Sequence, residues 1–556
     1  MGQTKVLVIG LDGATFDVVR PAIDRGLMPH LARLIERGTS GLLHSTVPAM
    51  SPPAWTSMIT GMNPGKHGIY DFVRRQPGSY RLQAMRSDFY AYQTMFDYLS
   101  SRGRRVAAIN IPLTYPPRPV NGVMVSGLGA PAHGQFAYPP ELREQLIAAG
   151  YALDNELAFQ PGHERAFADA LIDVARRQVD WSVKLLESQD WDLFMLVLRS
   201  IDEAQSFLWH YHDAQHPWYD AQRVAADGDL LLDIHRRTDE LIGRLLAAVD
   251  QTTVVFVVSD HGGGSLLKEV FLNNWLKQEG WLSLTQPGVV SRWVKSSLCK
   301  VGFTRERMSK HFSGPWMIRL RQRVPLSVQH AVIPGEHMTL ADAVDWTRTR
   351  AYSYGYVGQI FVNLKGREPQ GTVEPGKEYE QLLDEITAKL FELRDPATNE
   401  TVVDRVFRAS EIYSGSYQAY GPDLNIIMKG MSYLSHLQRE FANLSIFSEP
   451  GTNESGTHRP DGLFVIAGGD FNQVGDLRRE IIDIAPTILW LLYEKIPNYV
   501  DGDVIDVAIA EAVLQIHPIS NAEIDPARLP ATTEDWSRPA DETEVMERLR
   551  ALGYVD

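Results

Sequence analysis

The sequence predicts an α/β fold with a mainly parallel central sheet flanked by helices. Three observations predict it. Short apolar runs rich in β-branched residues recur at 5–11, 106–111, 193–198 and 254–258, as expected of parallel strands buried on both faces. Segments with helical spacing separate these runs, so the order reads strand, helix, strand. Two runs end in acids, at Asp12-Gly13 and at Ser259-Asp260-His261-Gly262, and ligands of such sheets gather at the carboxyl ends of strands.

In chain order, residues 28–37 bring Leu31, Leu34 and Ile35 to one helical face. Strand 106–111 is closed by Pro112, and Gly127-Leu128-Gly129 reads as a turn. An amphipathic helix over 171–187 leads to strand 193–198, with Asp202 soon after it. A long helix over 230–249 precedes strand 254–258. The rhythm resumes near Tyr352 with a helix over 379–393, strands over 402–407, 423–428 and 463–467, and a helix over 481–492. Beyond Ile516 the chain is rich in Pro, Asp and Glu and closes on a helical stretch at 544–552. There is no internal repeat.

This pattern divides the chain into a discontinuous core, 1–264 with 346–510, an insertion over 265–345, and a tail over 511–556. The insertion is basic and is expected to be largely helical. From Arg292 to Arg323 nine Lys or Arg stand against one acid, Glu306, interleaved with Trp293, Phe303, Phe312 and Trp316. Two readings stay open for it: a solvated helical surface, or a cap over the site or patch for an anionic partner or membrane surface.

At 556 residues the chain has room for two or three structural units. A formal net charge of −15 gives no general attraction to nucleic acid, and no specific nucleic-acid binding is expected. A bound metal can still reverse the local potential for an anionic substrate. Cys299 is the single cysteine, which excludes an intrachain disulfide and fits a reducing compartment. With no leader pattern and no long apolar run, a cytoplasmic protein without a transmembrane segment is expected. Oligomeric state leaves no signal.

The chemistry concentrates in Ser51-Pro52-Pro53-Ala54-Trp55, followed by Thr60-Gly61 and by Pro64-Gly65-Lys66-His67-Gly68-Ile69. The prolines predict an extended Ser51. A serine hydroxyl is a poor nucleophile at neutral pH unless a base or cation stabilises its alkoxide. Asp12, Asp202, Asp260, His261 and His458 offer the carboxylates and imidazoles that suit zinc or another divalent ion.

These motifs, in this order, resemble the alkaline phosphatase superfamily and within it the type I phosphodiesterase/nucleotide pyrophosphatase group. The resemblance covers about residues 1–265 and 345–505. In that group the nucleophile lies ten residues before the glycine of a Thr-Gly pair, which is Ser51 before Gly61. The resemblance implies an alkaline-phosphatase-like three-layer fold. It implies a hydrolase of phosphodiester or pyrophosphate-type bonds in small-molecule phosphoesters, working through a phosphoserine on Ser51. One metal would be held by Asp12, Asp260 and His261 and would touch Ser51. A second would be held by Asp202, His458 and one further ligand, with zinc expected as one or two ions.

Two positions depart from that pattern. The group carries a histidine four residues after the aspartate of the second site, where this chain has Ser206. His210 stands one further helical turn along, about 5–6 Å away, and His212 beyond it. The second site is therefore expected to take Mg or Mn through oxygen ligands, to bind metal only with substrate, or to be empty. Nucleotide pyrophosphatases also carry an asparagine where this chain has Ala54, so a donor to the phosphoryl group is sought in Asn110 or in the Ser51 amide. Two alternatives remain: a sulfatase-like ester hydrolase, whose motif needs an arginine where Trp55 stands, and a degenerate member that binds an anionic ligand or partner. His67 is expected to tie the loop near the nucleophile, Arg459 and Asp461 to pair locally, and Trp55 and Trp209 to pack.

Overall fold

The computed structural model describes residues 4–89, 93–285, 339–435, 445–451, 453–524, 543–546 and 549. The basic stretch read at 292–323 and Cys299 lie outside them.

Nine strands form the central sheet in the order Val474–Glu480, Thr39–His44, Asp461–Ala467, Val254–Val258, Val6–Leu11, Leu193–Leu198, Val106–Ile111, Gly122–Ser126, Ala137–Tyr138. From Val254–Val258 through Gly122–Ser126 neighbouring strands run parallel. Asp461–Ala467 is antiparallel to both of its neighbours. The sheet is thus mixed and mostly parallel.

Alternation along each strand divides the core into two layers. Leu7, Ile9, Leu196, Leu198, Val255 and Val257 face one cluster, shared with helices Glu164–Ser188, Ser200–His212 and Leu230–Ala247. Val6, Val8, Met195, Val197, Phe256 and Val258 face the other, shared with Ser51–Thr60 and Ile484–Leu491. Each such side chain, fully buried, contributes about 1.5–3 kcal/mol. The result is the three-layer α/β arrangement that the resemblance implied, around the mainly parallel sheet that the strand pattern predicted.

A second sheet of four strands, Ala351–Tyr352, Gln359–Val362, Leu424–Met428 and Val403–Arg408, packs with helix Lys377–Glu392 around its own core. The short strand Lys268–Val270 joins strands on either side of it, and helix Leu272–Gln278 follows. Near the C-terminus Val545 and Leu549 are buried in a cluster with Met50, Phe72, Leu128 and Tyr356, and Ala132 N–H donates to the Glu544 carboxylate at 2.8 Å. Among the described residues no helix is long and apolar enough to cross a membrane.

Two local expectations fail. Ser51 is the first residue of helix Ser51–Thr60, and the extended residue is Met50, the N-cap with φ −146° and ψ 148°. The prolines occupy the first turn, where a missing N–H costs nothing, and so start the helix. Arg459 and Asp461 do not pair. Arg459 donates to the carbonyls of Met431, His458 and Ser265, while Asp461 takes His44 and Arg478. Arg459 ends the strand Gly456–Arg459 and Asp461 opens the next, where it stands opposite His44.

Candidate nucleophile and metal centre

The site is built where strands end. Val6–Leu11 pairs with Val254–Val258 with Ile9 opposite Val257, so Asp12 and Asp260-His261 leave the sheet side by side. Gly13 makes the first turn possible. Its φ is +73°, and a Cβ there would stand 3.1 Å from Asp202 Cα and Cβ, so both backbone and space require glycine. Its N–H donates to Asp260 Oδ1 at 3.2 Å. Asp202 comes from helix Ser200–His212, just after the neighbouring strand.

His458 arrives from outside the sheet. A two-stranded antiparallel ribbon, Gly262–Ser265 against Gly456–Arg459, sets Gly263 opposite His458. The imidazoles of His261 and His458 stack with centroids 3.8 Å apart. Ser51 Oγ is 3.5 Å from Asp12 Oδ1 and 3.4 Å from His261 Nε2.

Two groups of donors could hold a metal ion: Asp12, Asp260 and His261, and Asp202, His261 and His458, each with its ligand atoms within 4.8 Å of one another. All five residues are buried. The hydrogen bonds assign the tautomers. His261 Nδ1–H donates to Gly262 O at 3.0 Å, and His458 Nδ1–H donates to Ala49 O at 3.0 Å. With Nδ1–H so engaged, each ring in its neutral form turns an Nε2 lone pair inward, the arrangement that carbonyl partners impose on metal-binding histidines. His261 Nε2 meets Asp260 Oδ2 at 3.3 Å and Asp12 Oδ1 at 3.6 Å, and His458 Nε2 meets Asp202 Oδ1 at 3.6 Å.

Acceptors facing acceptors are consistent with a cation between them. The titration behaviour says the same. Burial, then Asp260 and Asp202, push the Asp12 carboxyl well above the usual carboxylate range. Burial and then Asp202 push Asp260 up to about 7. Burial and then the neighbouring His261 push His458 down to about 3, keeping it neutral. Three buried acids beside two imidazoles fit a divalent cation, and this chemistry does not single out which one.

Asn110 and the positions weighed for the missing histidine have the following surroundings. Ser206 offers neither imidazole nor carboxylate, and its carbonyl accepts from Ser455 N–H at 2.7 Å. His210 Nδ1 is 2.9 Å from Ser455 Oγ, and His212 Nδ1 is 2.8 Å from Asp229 Oδ2, so neither replaces the missing histidine. Asn110 stands at a register shift of its strand with φ +60°. Its Oδ1 accepts from Tyr151 O–H at 2.5 Å, and its buried Nδ2 has no hydrogen-bond partner. It lines a cavity of about 20 Å³ with Asp154, Arg199 and Glu203, room for a water molecule.

His67 does tie the loop. Ile69 N–H donates to its Nδ1 at 3.1 Å, so Nε2–H donates to Ser57 Oγ at 2.9 Å on the Ser51 helix. Burial lowers its pKa to about 3. Trp209 is buried, and so is Trp55. Trp55 has a second task that sequence reasoning missed. One helical turn after Ser51, its Nε1–H donates to Asp12 Oδ2 at 3.1 Å, which fixes the carboxylate nearest the serine. The available signal was the i, i+4 spacing of Ser51 and Trp55.

A profile described as type I phosphodiesterase / nucleotide pyrophosphatase matches residues 6–313, more than half of the chain. No curated protein matches by sequence. Among solved structures, phosphonoacetate hydrolase from Sinorhizobium meliloti 1021, in complex with phosphonoformate, is similar with a TM-score of 0.51. Its identity is 16%, over 88% of this chain and 95% of that one. An inactive form of murine ectonucleotide pyrophosphatase / phosphodiesterase 5, in complex with AMP, has a TM-score of 0.50 at 11% identity, over 91% and 100%. At these identities the likeness is one of fold. Profile and fold agree: the chain belongs to the type I phosphodiesterase/nucleotide pyrophosphatase family of the alkaline phosphatase superfamily.

Proposed function

We propose that the protein is a metal-dependent hydrolase of phosphodiester or pyrophosphate-type bonds and that Ser51 becomes transiently phosphorylated. The observation that carries this reading is Ser51 Oγ, within 3.5 Å of Asp12 and 3.4 Å of His261, at the start of a helix and beside the donors of the first group. Asp12, Asp260 and His261 would hold one cation, and Asp202 with His458 would contribute to a second. Cations bound there lower the pKa of a coordinated hydroxyl and neutralise charge on phosphoryl oxygens.

The protein's own part is positioning. Helix Ser51–Thr60 directs its positive end at the reacting group. Pro52 and Pro53 have no N–H, and Ala54 N–H is spent on Met50 O at 3.0 Å. This leaves the Ser51 amide as the backbone donor of the first turn. Trp55 holds Asp12 against rotation, and Gly13 holds Asp260. Ser51 Oγ bonds to phosphorus as the leaving oxygen departs; water then cleaves the Oγ–P bond, and the serine hydroxyl is restored. Arg199, whose charge acts on Asp12, is paired with Asp154 at 2.9 Å and Glu203 at 3.3 Å. That favours the single charge of a diester over the two of a monoester.

The binding-protein alternative draws on Ser206 in place of a ligand. For the sulfuric-ester alternative, Trp55 is fully buried with its indole on Asp12, where that chemistry needs a cationic side chain. An aryl phosphodiester assay with added divalent ions tests the proposal. Wild type should turn over, and Ser51→Ala should lose activity about 10³-fold or more with an unchanged fold. Equal turnover by the variant removes Ser51 from the chemistry, and a wild type inactive with every divalent ion favours the binding protein.

A further inference from the structure

Gln205 lies three residues after Asp202 on the same helix and is 3% exposed. Its Nε2 donates to Gly13 O at 2.7 Å. That bond assigns the amide, because the reverse orientation would set two oxygens face to face. The other end, Oε1, is buried and accepts from nothing. Buried side-chain oxygens are nearly always satisfied, and an orphan needs a water or an ion.

Its position is informative. Oε1 stands 1.5 Å from where a Cβ of Gly263 would be, so it takes the space a side chain at 263 would fill. Gly263 is opposite His458 in the ribbon. Opposed residues of an antiparallel pair project to the same face, with Cβ atoms about 4.5–5.5 Å apart. Oε1 therefore lies on the face that bears the His458 imidazole. On the other side, Asp202 and Gln205 are helical neighbours at i, i+3. The Gly13 turn that anchors Nε2 also packs on Asp202, whose Oδ1 would be 3.2 Å from a Cβ at Gly13. Helical spacing thus sets the amide beside Asp202, and the ribbon sets its unsatisfied oxygen on the His458 face.

We propose that Gln205 Oε1 is the third protein ligand of the second cation site, with Asp202 and His458, in place of the imidazole expected at 206. This rests on the metal-dependent reading above. The two sites then differ in chemistry. Asp12, Asp260 and His261 supply two negative charges and one imidazole. Asp202, Gln205 and His458 supply one charge, a neutral carbonyl-type oxygen and one imidazole. The second site is the weaker for its lower charge, and an amide oxygen in place of an imidazole shifts its preference from zinc towards the harder Mn or Mg.

Titration of the chelator-stripped full chain with Mn²⁺, followed by electron paramagnetic resonance and by calorimetry, tests this without substrate. Wild type should bind in a tight step and a weak step. Gln205→Leu should weaken the weak step at least 10-fold and spare the tight one. Gln205→Glu, which adds a charge, should tighten the weak step at least 10-fold and serves alone if the leucine variant does not fold. Were the amide only a prop for Gly13, both variants would weaken both steps through Asp260, and the proposal would fall. It falls equally if Gln205→Leu leaves the weak step unchanged, or if wild type binds in a single step, a result that leaves the first site and the hydrolase reading standing. Absence of any binding overturns both.

Discussion

The two halves of the centre are built on different principles. Asp12, Asp260 and His261 follow directly from two hydrogen-bonded parallel strands. Their spacing is set by a ladder whose neighbours lie about 4.8 Å apart, inside a core buried on both faces. Asp202 and His458 come from a helix and from a short ribbon outside the central sheet, so their spacing depends on helical phase and on a pairing between distant segments. The departure from the family pattern, Ser206, falls in this second half. Ligands fixed by a ladder leave little room to vary. Ligands fixed by a helix can be exchanged for a neighbour one residue away, as Gln205 is for position 206.

The contrast breaks most visibly if the two aspartates behave alike. Asp12→Asn should cost the first site well over the 10- to 100-fold that outer partners contribute, and turnover should fall about 10³-fold or more. Asp202→Asn should leave the first ion bound and lower turnover less, by about 10–100-fold. Metal content per chain and kcat on the same samples separate the two outcomes. Melting of the metal-free proteins gives a sign opposite to activity. Asp12 carries an unfavourably buried carboxyl beside Asp260 and Asp202, so Asp12→Asn should melt higher than wild type without metal. Equal metal losses in the two variants would mean a single shared ion rather than two unequal sites.

Ser206→His sharpens the same comparison from the other side. An imidazole four residues after Asp202 lies on the face of the helix that carries it. It should tighten the second site about 10-fold or more and raise phosphodiester turnover. Calorimetric titration with Zn²⁺ and with Mn²⁺ checks it, and the gain should be larger for zinc, the softer ion. Unchanged binding of both ions would place position 206 outside the centre.

The legibility of the two halves in the sequence follows the same division. The strands at 106–111, 193–198 and 254–258 coincide with Val106–Ile111, Leu193–Leu198 and Val254–Val258, because a strand buried on both faces is a continuous apolar run. Thr39–His44 carries a serine, a glycine and a histidine among its six residues, and Val474–Glu480 is an edge strand with Arg478 and Arg479. Neither has a local signature. The ribbon is harder still. Gly262–Ser265 is three glycines and a serine, and its partner is nearly two hundred residues away. Those glycines are explained only by what lies against them, Gln205 and Arg459 among others. Ser51, Asp12, Asp202, Asp260, His261 and His458 could be named through the family resemblance, and the fold brings them together. Gln205 and Trp55 could not, since what each does is set by Gly13 and Asp12 across the fold.

A smaller effect tests whether the second half is also the less firmly anchored. Asp461, three residues beyond His458, stands opposite His44, with its Oδ1 2.7 Å from His44 Nδ1. The hydrogen bond from His44 holds the Asp461 carboxyl below its usual range and is the main cause that raises His44. Folding raises His44, so its share of stability is full below the unfolded value near 6.5 and is lost as pH rises through the higher folded value. Folding lowers Asp461, so its share is present above the unfolded value near 3.9 and is lost as pH falls through the lower folded value. The pair therefore contributes most between about pH 4 and 6.5. Both side chains are about one-third exposed, at 35% and 32%, which limits the contribution to about 1 kcal/mol or less. His44→Gln should lower stability to chemical denaturation by that amount at pH 5.5 and by nothing measurable at pH 8.5. The metal-free protein should show the same difference, because the pair lies outside both donor sets. A difference that persisted at pH 8.5 would assign the effect to packing at the end of strand Thr39–His44 rather than to the ion pair.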